Sequence, residues 1–162
     1  MILRIAIGAD HRGYELKKFI IANLVTSFTS NSALKTNELT EIAPEEIIWL
    51  DQGCDNNLAC DYPEFTNKVC QQILTNQAEL GILICGSGIG MSIAANRCPK
   101  IYAGLAWDPE IARSAKADNN CNVLVLPADF LTPELTLEII KTWLNTKFKA
   151  GKYQARLNNL DQ

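Results

Sequence analysis

Five short apolar runs, each followed by a stretch of helical period, constrain this chain more than anything else in its sequence. The runs are residues 3–8, 47–51, 81–85, 102–106 and 123–126. Most are apolar throughout rather than alternating, which is the pattern of strands covered on both faces of a parallel sheet. Between them, Leu16, Phe19, Ile20, Asn23 and Leu24 keep helical spacing, as do Phe65, Val69 and Ile73, with Pro63 suited to a first helical turn. The cleanest stripe is Leu135, Ile139, Ile140, Trp143 and Leu144, for which Thr132 is the predicted N-cap and Pro133 the first helical residue. Strand and helix alternating in this way predict an α/β fold: a doubly wound, three-layer α/β/α sandwich around a five-stranded parallel sheet, with right-handed crossovers.

The length of 162 residues suits one domain spanning 1–162. With 48% hydrophobic and 20% charged residues, a disordered chain is excluded. No apolar run approaches the ~18 residues of a membrane span, and 15 basic against 18 acidic residues argue against a general nucleic-acid binder. The first nine residues read as a strand entering a polar turn, not as a signal peptide. The six cysteines form no C-x-x-C pair, so no structural metal site is expected, and six reduced thiols in a cytoplasmic protein is the simplest reading. Residues 27–46 are rich in Ser, Thr, Asn and Glu without a strong period; they read as a surface insertion, with a short helix near Pro44. From about residue 148 the chain is polar and basic and reads as a docking tail.

In open α/β sheets ligands bind beyond the carboxyl ends of the strands. Three segments are assigned there: residues 8–13 after the first strand, 85–90 after the third, and 117–120, which lead into the fifth. The second is the strongest signal. Gly86, Gly88 and Gly90 follow a strand and open a helix near Ile89. Glycine lets main-chain N–H groups approach an anion, and a helix N-terminus adds positive potential. The loop could hold a phosphate or a developing oxyanion, or it could be a tight turn with no ligand. It is neither a Walker A sequence nor a G-x-G-x-x-G fingerprint. Cys85 stands directly before it. A helix N-terminus lowers a thiol pKa, which would make Cys85 a base or nucleophile; the alternative is a buried structural cysteine. His11, the one histidine, lies between Asp10 and Arg12 at a strand end, either as a functional group or as a solvated loop residue. Lys147, Lys149, Lys152 and Arg156 form either a solvated face or a set of phosphate-binding cations, in the same protomer or a neighbour.

Three blocks carry a resemblance to a known family. Gly8-x-Asp10-His11-x-Gly13, Asp61-Tyr62-Pro63, and the run from Gly81 through Cys85-Gly86-Ser87-Gly88-Ile89-Gly90 to Asn96 resemble the type B ribose-5-phosphate isomerases, a family that includes the galactose-6-phosphate isomerase subunits. The similarity runs in order over nearly the whole chain outside the insertion. It implies a Rossmann-like α/β/α fold and a homodimer or homotetramer with sites shared between protomers. It further implies aldose–ketose isomerisation of a sugar phosphate without metal or organic cofactor. By resemblance, Cys85 removes the C2 proton, and the amides of Gly86, Gly88, Ile89 and Gly90 hold the enediolate, helped by Ser87. Asp10 contacts the sugar and opens the ring, His11 contacts the phosphate, Asn119 binds substrate and Tyr62 packs beside it.

The chain departs from the family at three positions. Asp118 stands where a ring-opening histidine is usual, Lys152 replaces an arginine of the phosphate site, and Asp129 replaces another; Arg156 is kept. Lys152 retains charge but loses the bidentate fork, and Asp129 reverses the charge. The phosphate site is then rebuilt, or the substrate differs, or activity is low. The leading reading is interconversion of ribose 5-phosphate and ribulose 5-phosphate through an enediolate. The alternatives are an isomerase for a hexose 6-phosphate and a non-catalytic sugar-phosphate-binding subunit.

Overall fold

The computed structural model describes residues 2–24 and 46–160. Five strands, β1 (Ile2–Ala9), β2 (Glu46–Asp51), β3 (Leu80–Cys85), β4 (Ala103–Leu105) and β5 (Val123–Pro127), alternate with α1 (Tyr14–Asn23), α2 (Tyr62–Leu74), α3 (Ile89–Ala95), α4 (Pro109–Asn119) and α5 (Pro133–Asn145), followed by α6 (Lys152–Asn158). The sheet is parallel throughout, in the order β2-β1-β3-β5-β4. The expected insertion at 27–46 and the short helix near Pro44 lie outside the described residues, apart from Glu46, which already opens β2.

The two faces of the sheet bury separate clusters, as an alternating strand requires. Ile5, Ile7, Ile82, Ile84, Leu124 and Leu126 meet Leu16 and Ile20 of α1, Ala112 of α4, and Ile139, Ile140 and Trp143 of α5. Their neighbours in sequence, among them Ala6, Leu83, Cys85, Val123 and Val125, meet Phe65, Val69 and Cys70 of α2 and Met91 and Ala95 of α3. Strands covered on both sides carry no polar face, which is why the runs read as continuously apolar. Asn23, counted in the first helical stripe, points outward; Leu16, Ile20 and Leu24 make the buried side. Thr132 caps α5 as predicted, its Oγ1 accepting the Leu135 N–H at 3.2 Å, with Pro133 first in the helix. The basic tail docks on its own chain: α6 packs on α4, Leu157 is 4% exposed, and the Lys149 N–H reaches the Ala117 carbonyl at 3.0 Å.

Topology places the site. From β1 the chain crosses to β2 on one side, whereas from β3 it moves the other way, toward β5 and β4. The winding reverses between β1 and β3, and the loops leaving these adjacent strands diverge at their carboxyl ends, where such sheets open a crevice. Those two loops are residues 10–13 and 86–88. No helix among the described residues is long and apolar enough to cross a membrane.

Candidate active site

The first loop is held from inside. The Asp10 N–H bonds the Ile84 carbonyl at 3.1 Å, which ties it to β3. The residue is 7% exposed, and its Oδ1 accepts the N–H groups of Arg12 at 2.9 Å and Gly13 at 3.1 Å. This carboxylate therefore shapes the turn into α1. His11 is half-buried, and its Nδ1 accepts the Cys60 N–H at 3.3 Å. With Nδ1 occupied as acceptor, the neutral ring carries its proton on Nε2 and offers it as a donor.

The second loop wraps a sulfur. Cys85 ends β3 and is 5% exposed. The chain turns back over it, and the Gly88 N–H donates to Sγ at 3.2 Å. Gly88 has φ +76°, and a Cβ there would collide with Cδ1 of Leu105, so glycine is favoured on both counts. Ser87 lends its Oγ to the Ile89 N–H at 3.3 Å at the start of α3. Tyr62 lies against α3: a Cβ on Gly90 would sit 2.7 Å from its Cζ.

The thiol departs from expectation. Burial pushes the Cys85 pKa above its ordinary value of 9.0, and the nearby Asp10 carboxylate adds to the rise, while the amides of Met91, Gly88 and Ser87 pull it down. Burial outweighs the amides, so the protonated thiol is favoured over the thiolate. The amides at the start of α3 lower this pKa as expected, but removing the sulfur from water costs the thiolate more than they return, so the net direction is upward.

Asp118, Asn119, Lys152 and Arg156 do not join Cys85 within the chain. α4 descends from the carboxyl end of β4, so residues 117–120, assigned above to the carboxyl edge, lie at the amino end of β5. Strand β5 alone separates the two edges by about 16 Å at roughly 3.3 Å per residue. At the amino edge Asp118 accepts Lys149 Nζ at 2.6 Å. Lys152 and Arg156 on α6 flank the Tyr153 ring, each 5.3 Å from its centroid.

Two features escaped the sequence. Arg12 pairs with Asp129 at the carboxyl edge, and Cys60 fixes the His11 ring through its amide. Both contacts join segments far apart in the chain. The one available signal was the pair of opposite charges at two strand ends, and strand order is needed to see that they meet.

A thiol among main-chain amides, with a carboxylate and an imidazole at the same switch point, is an arrangement that can move a proton and receive an anionic oxygen. Comparison with known proteins narrows the class. A family model described as Ribose/Galactose Isomerase matches residues 5–160. The chain is 32% identical over 154 residues to ribose-5-phosphate isomerase B of Escherichia coli, covering 95% of this chain and 91% of that one. It is 31% identical over 160 residues to ribose-5-P isomerase B of Listeria innocua, covering 99% and 96%. A crystal structure of a ribose 5-phosphate isomerase from Thermotoga maritima superposes with a TM-score of 0.85 at 38% identity, covering 98% of this chain and 97% of that one. The chain belongs to the ribose/galactose isomerase family and is a sugar-phosphate isomerase.

Proposed function

We propose that the protein interconverts ribose 5-phosphate and ribulose 5-phosphate through an enediolate, with Cys85 as the base. The observation that carries this reading is the Cys85 sulfur held by the Gly88 amide at 3.2 Å at the β1/β3 switch point. The thiolate takes the C2 proton of the open-chain aldose, and the carbonyl oxygen becomes anionic. The amides of Gly86, Gly88, Ile89 and Gly90, with Ser87, receive that charge; the O2 hydroxyl proton passes to O1, and the proton on sulfur returns at C1, which leaves the carbonyl at C2. One base serving both carbons is worth ~10²–10⁴-fold. Asp10 assists ring opening, His11 offers Nε2–H to the phosphate, and Tyr62 lines the site.

Asp118, Asn119, Lys152 and Arg156 then serve the site of a neighbouring copy in a homodimer or homotetramer. Two observations support sharing: these residues cluster at the edge remote from their own Cys85, and α3 presents Ile89 and Ile93, 57% and 59% exposed in the single chain, one helical turn apart.

Cys85→Ala should abolish turnover of ribose 5-phosphate, and the exchange of its C2 hydrogen in deuterated water, with an unchanged melt. Retained exchange would refute the role. Refolding Cys85→Ala together with Asn119→Ala, each inactive alone, should restore activity in about a quarter of sites, since random dimers pair one intact half from each. No restoration would sink the shared site. Turnover of a hexose 6-phosphate in place of ribose 5-phosphate would move the substrate assignment within the family.

A further inference from the structure

We propose that Arg12 is a specificity-determining residue whose guanidinium receives the phosphate of the substrate, and that Asp129 competes with the substrate for it. The inference rests on the reading above only in taking the substrate to be phosphorylated. Arg12 follows His11 on the loop after β1. Its side chain crosses to the loop after β3 and lies on Gly86: a Cβ at Gly86 would stand 2.6 Å from Cζ and Nε and 2.8 Å from Nη1. Any larger residue at 86 would evict the guanidinium. From beyond β5, Asp129 donates its N–H to the Gly86 carbonyl at 3.1 Å, and its Oδ2 accepts from Arg12 Nη2. Three loops thus converge on one glycine, and the cation sits beside the amides that follow Cys85.

Charge and exposure separate this cation from its neighbour. Lys17 is 1% exposed and committed to Asp51 Oδ1 at 2.5 Å and the Cys54 carbonyl at 2.8 Å, so it cannot turn toward a ligand. Arg12 is 56% exposed in its side chain, and Asp129 34%. Asp129 is bonded to one of the three guanidinium nitrogens. The five N–H donors of the group form a fork that suits phosphate. An exposed ion pair is weak, and a phosphate dianion binds a guanidinium more strongly than a monoanionic carboxylate does, so the substrate can displace Asp129. The charge reversal at position 129 is therefore accompanied by a cation supplied from position 12 at the same place.

The test uses the full chain, with inorganic phosphate binding read by calorimetry and KM and kcat measured with ribose 5-phosphate. Arg12→Gln should weaken phosphate binding and raise KM by ~10- to 100-fold, the worth of one charge-assisted contact, with kcat within about threefold. Arg12→Lys should fall between the two, which guards against a folding artefact. Asp129→Asn should act with the opposite sign and tighten phosphate binding severalfold. Phosphate affinity unchanged in Arg12→Gln would overturn the proposal. So would Asp129→Asn weakening phosphate as much as Arg12→Gln does, since the pair would then be a structural strap. Phosphate binding that depends on Arg12 in a chain that does not turn over ribose 5-phosphate would uphold the inference and remove only the substrate assignment.

Discussion

Gly88→Ala separates the two reasons the glycine loop needs a glycine. The residue has φ +76°, where a non-glycine residue costs about 1–2 kcal/mol. Its new methyl would also fall on Cδ1 of Leu105, with Val125 Cγ1 3.5 Å away, and such overpacking costs about 1–3 kcal/mol. Leu105 is only half-buried, so part of the clash relaxes, and a total of about 2–4 kcal/mol follows from both terms. Urea denaturation of the wild type, Gly88→Ala, Leu105→Ala and the double variant tests the division. Shortening Leu105 relieves the clash and leaves the backbone strain. The double variant should therefore be more stable than the sum of the singles by about 1–2 kcal/mol. Additivity within ~0.5 kcal/mol, or a Gly88→Ala variant within ~0.5 kcal/mol of wild type, would refute the reasoning. Because the Gly88 N–H holds Cys85 Sγ, the same variant should shift alkylation of Cys85, followed on its own peptide, to still higher pH.

Two pH predictions follow from the buried thiols. The Cys85 pKa is raised by burial and the proposed base is the thiolate, so log(kcat/KM) should climb with slope near one as pH rises from neutral and level off only above the ordinary thiol range; a profile flat from about pH 6 to 9 would exclude Cys85 as the titrating base. Burial also pushes Cys54 to about 11, Cys70 to about 12 and Cys121 to about 11 from an ordinary 9.0. Folded values above the unfolded one mean that the native state holds its protons more tightly. This stability is complete below pH 9.0 and lost as pH rises toward 11 and 12. Urea midpoints should fall steeply across that window, and a Cys70→Ala variant should show a shallower fall; equal slopes would contradict the assignment.

The strands were legible because burial on both faces leaves a composition signal, and each expected run lies within a residue of an observed strand. Thr132 and Pro133 were legible because capping is local chemistry. The site was legible in part. Gly88 and Cys85 meet across three residues, and a strand followed by spaced glycines implies that contact. The expected placement of 117–120 fails for a topological reason: a helix returning from a carboxyl edge must end at the amino edge, and in sequence an approach to β5 looks the same as an exit from it. The role of Arg12 is not legible in the sequence because its partner is 117 positions away and nothing local marks it. The net direction of the Cys85 pKa depends on depth in the fold, which a helix start cannot report.

A neutral resting thiol is compatible with the proposed chemistry once charge is followed rather than pKa. Before transfer, the negative charge of the active form lies on sulfur, against the Gly88 amide. As the C2 proton moves to sulfur, the charge moves to the enediolate oxygens, which the amides of the same loop receive. The donors are fixed by the backbone, so little reorganisation accompanies the shift. Burial makes the thiolate scarce, yet it also makes it a stronger base toward a weakly acidic C–H bond, and the two effects oppose one another. Asp10 fits the same economy: its negative charge disfavours the thiolate, while its Oδ1 holds the Arg12 and Gly13 amides that keep the first loop in place. Neutralising it as Asp10→Asn would therefore favour the thiolate and at the same time weaken the turn that presents Arg12 and His11. The carboxylate at this position is better understood as a compromise between loop geometry and base strength than as an isolated proton carrier.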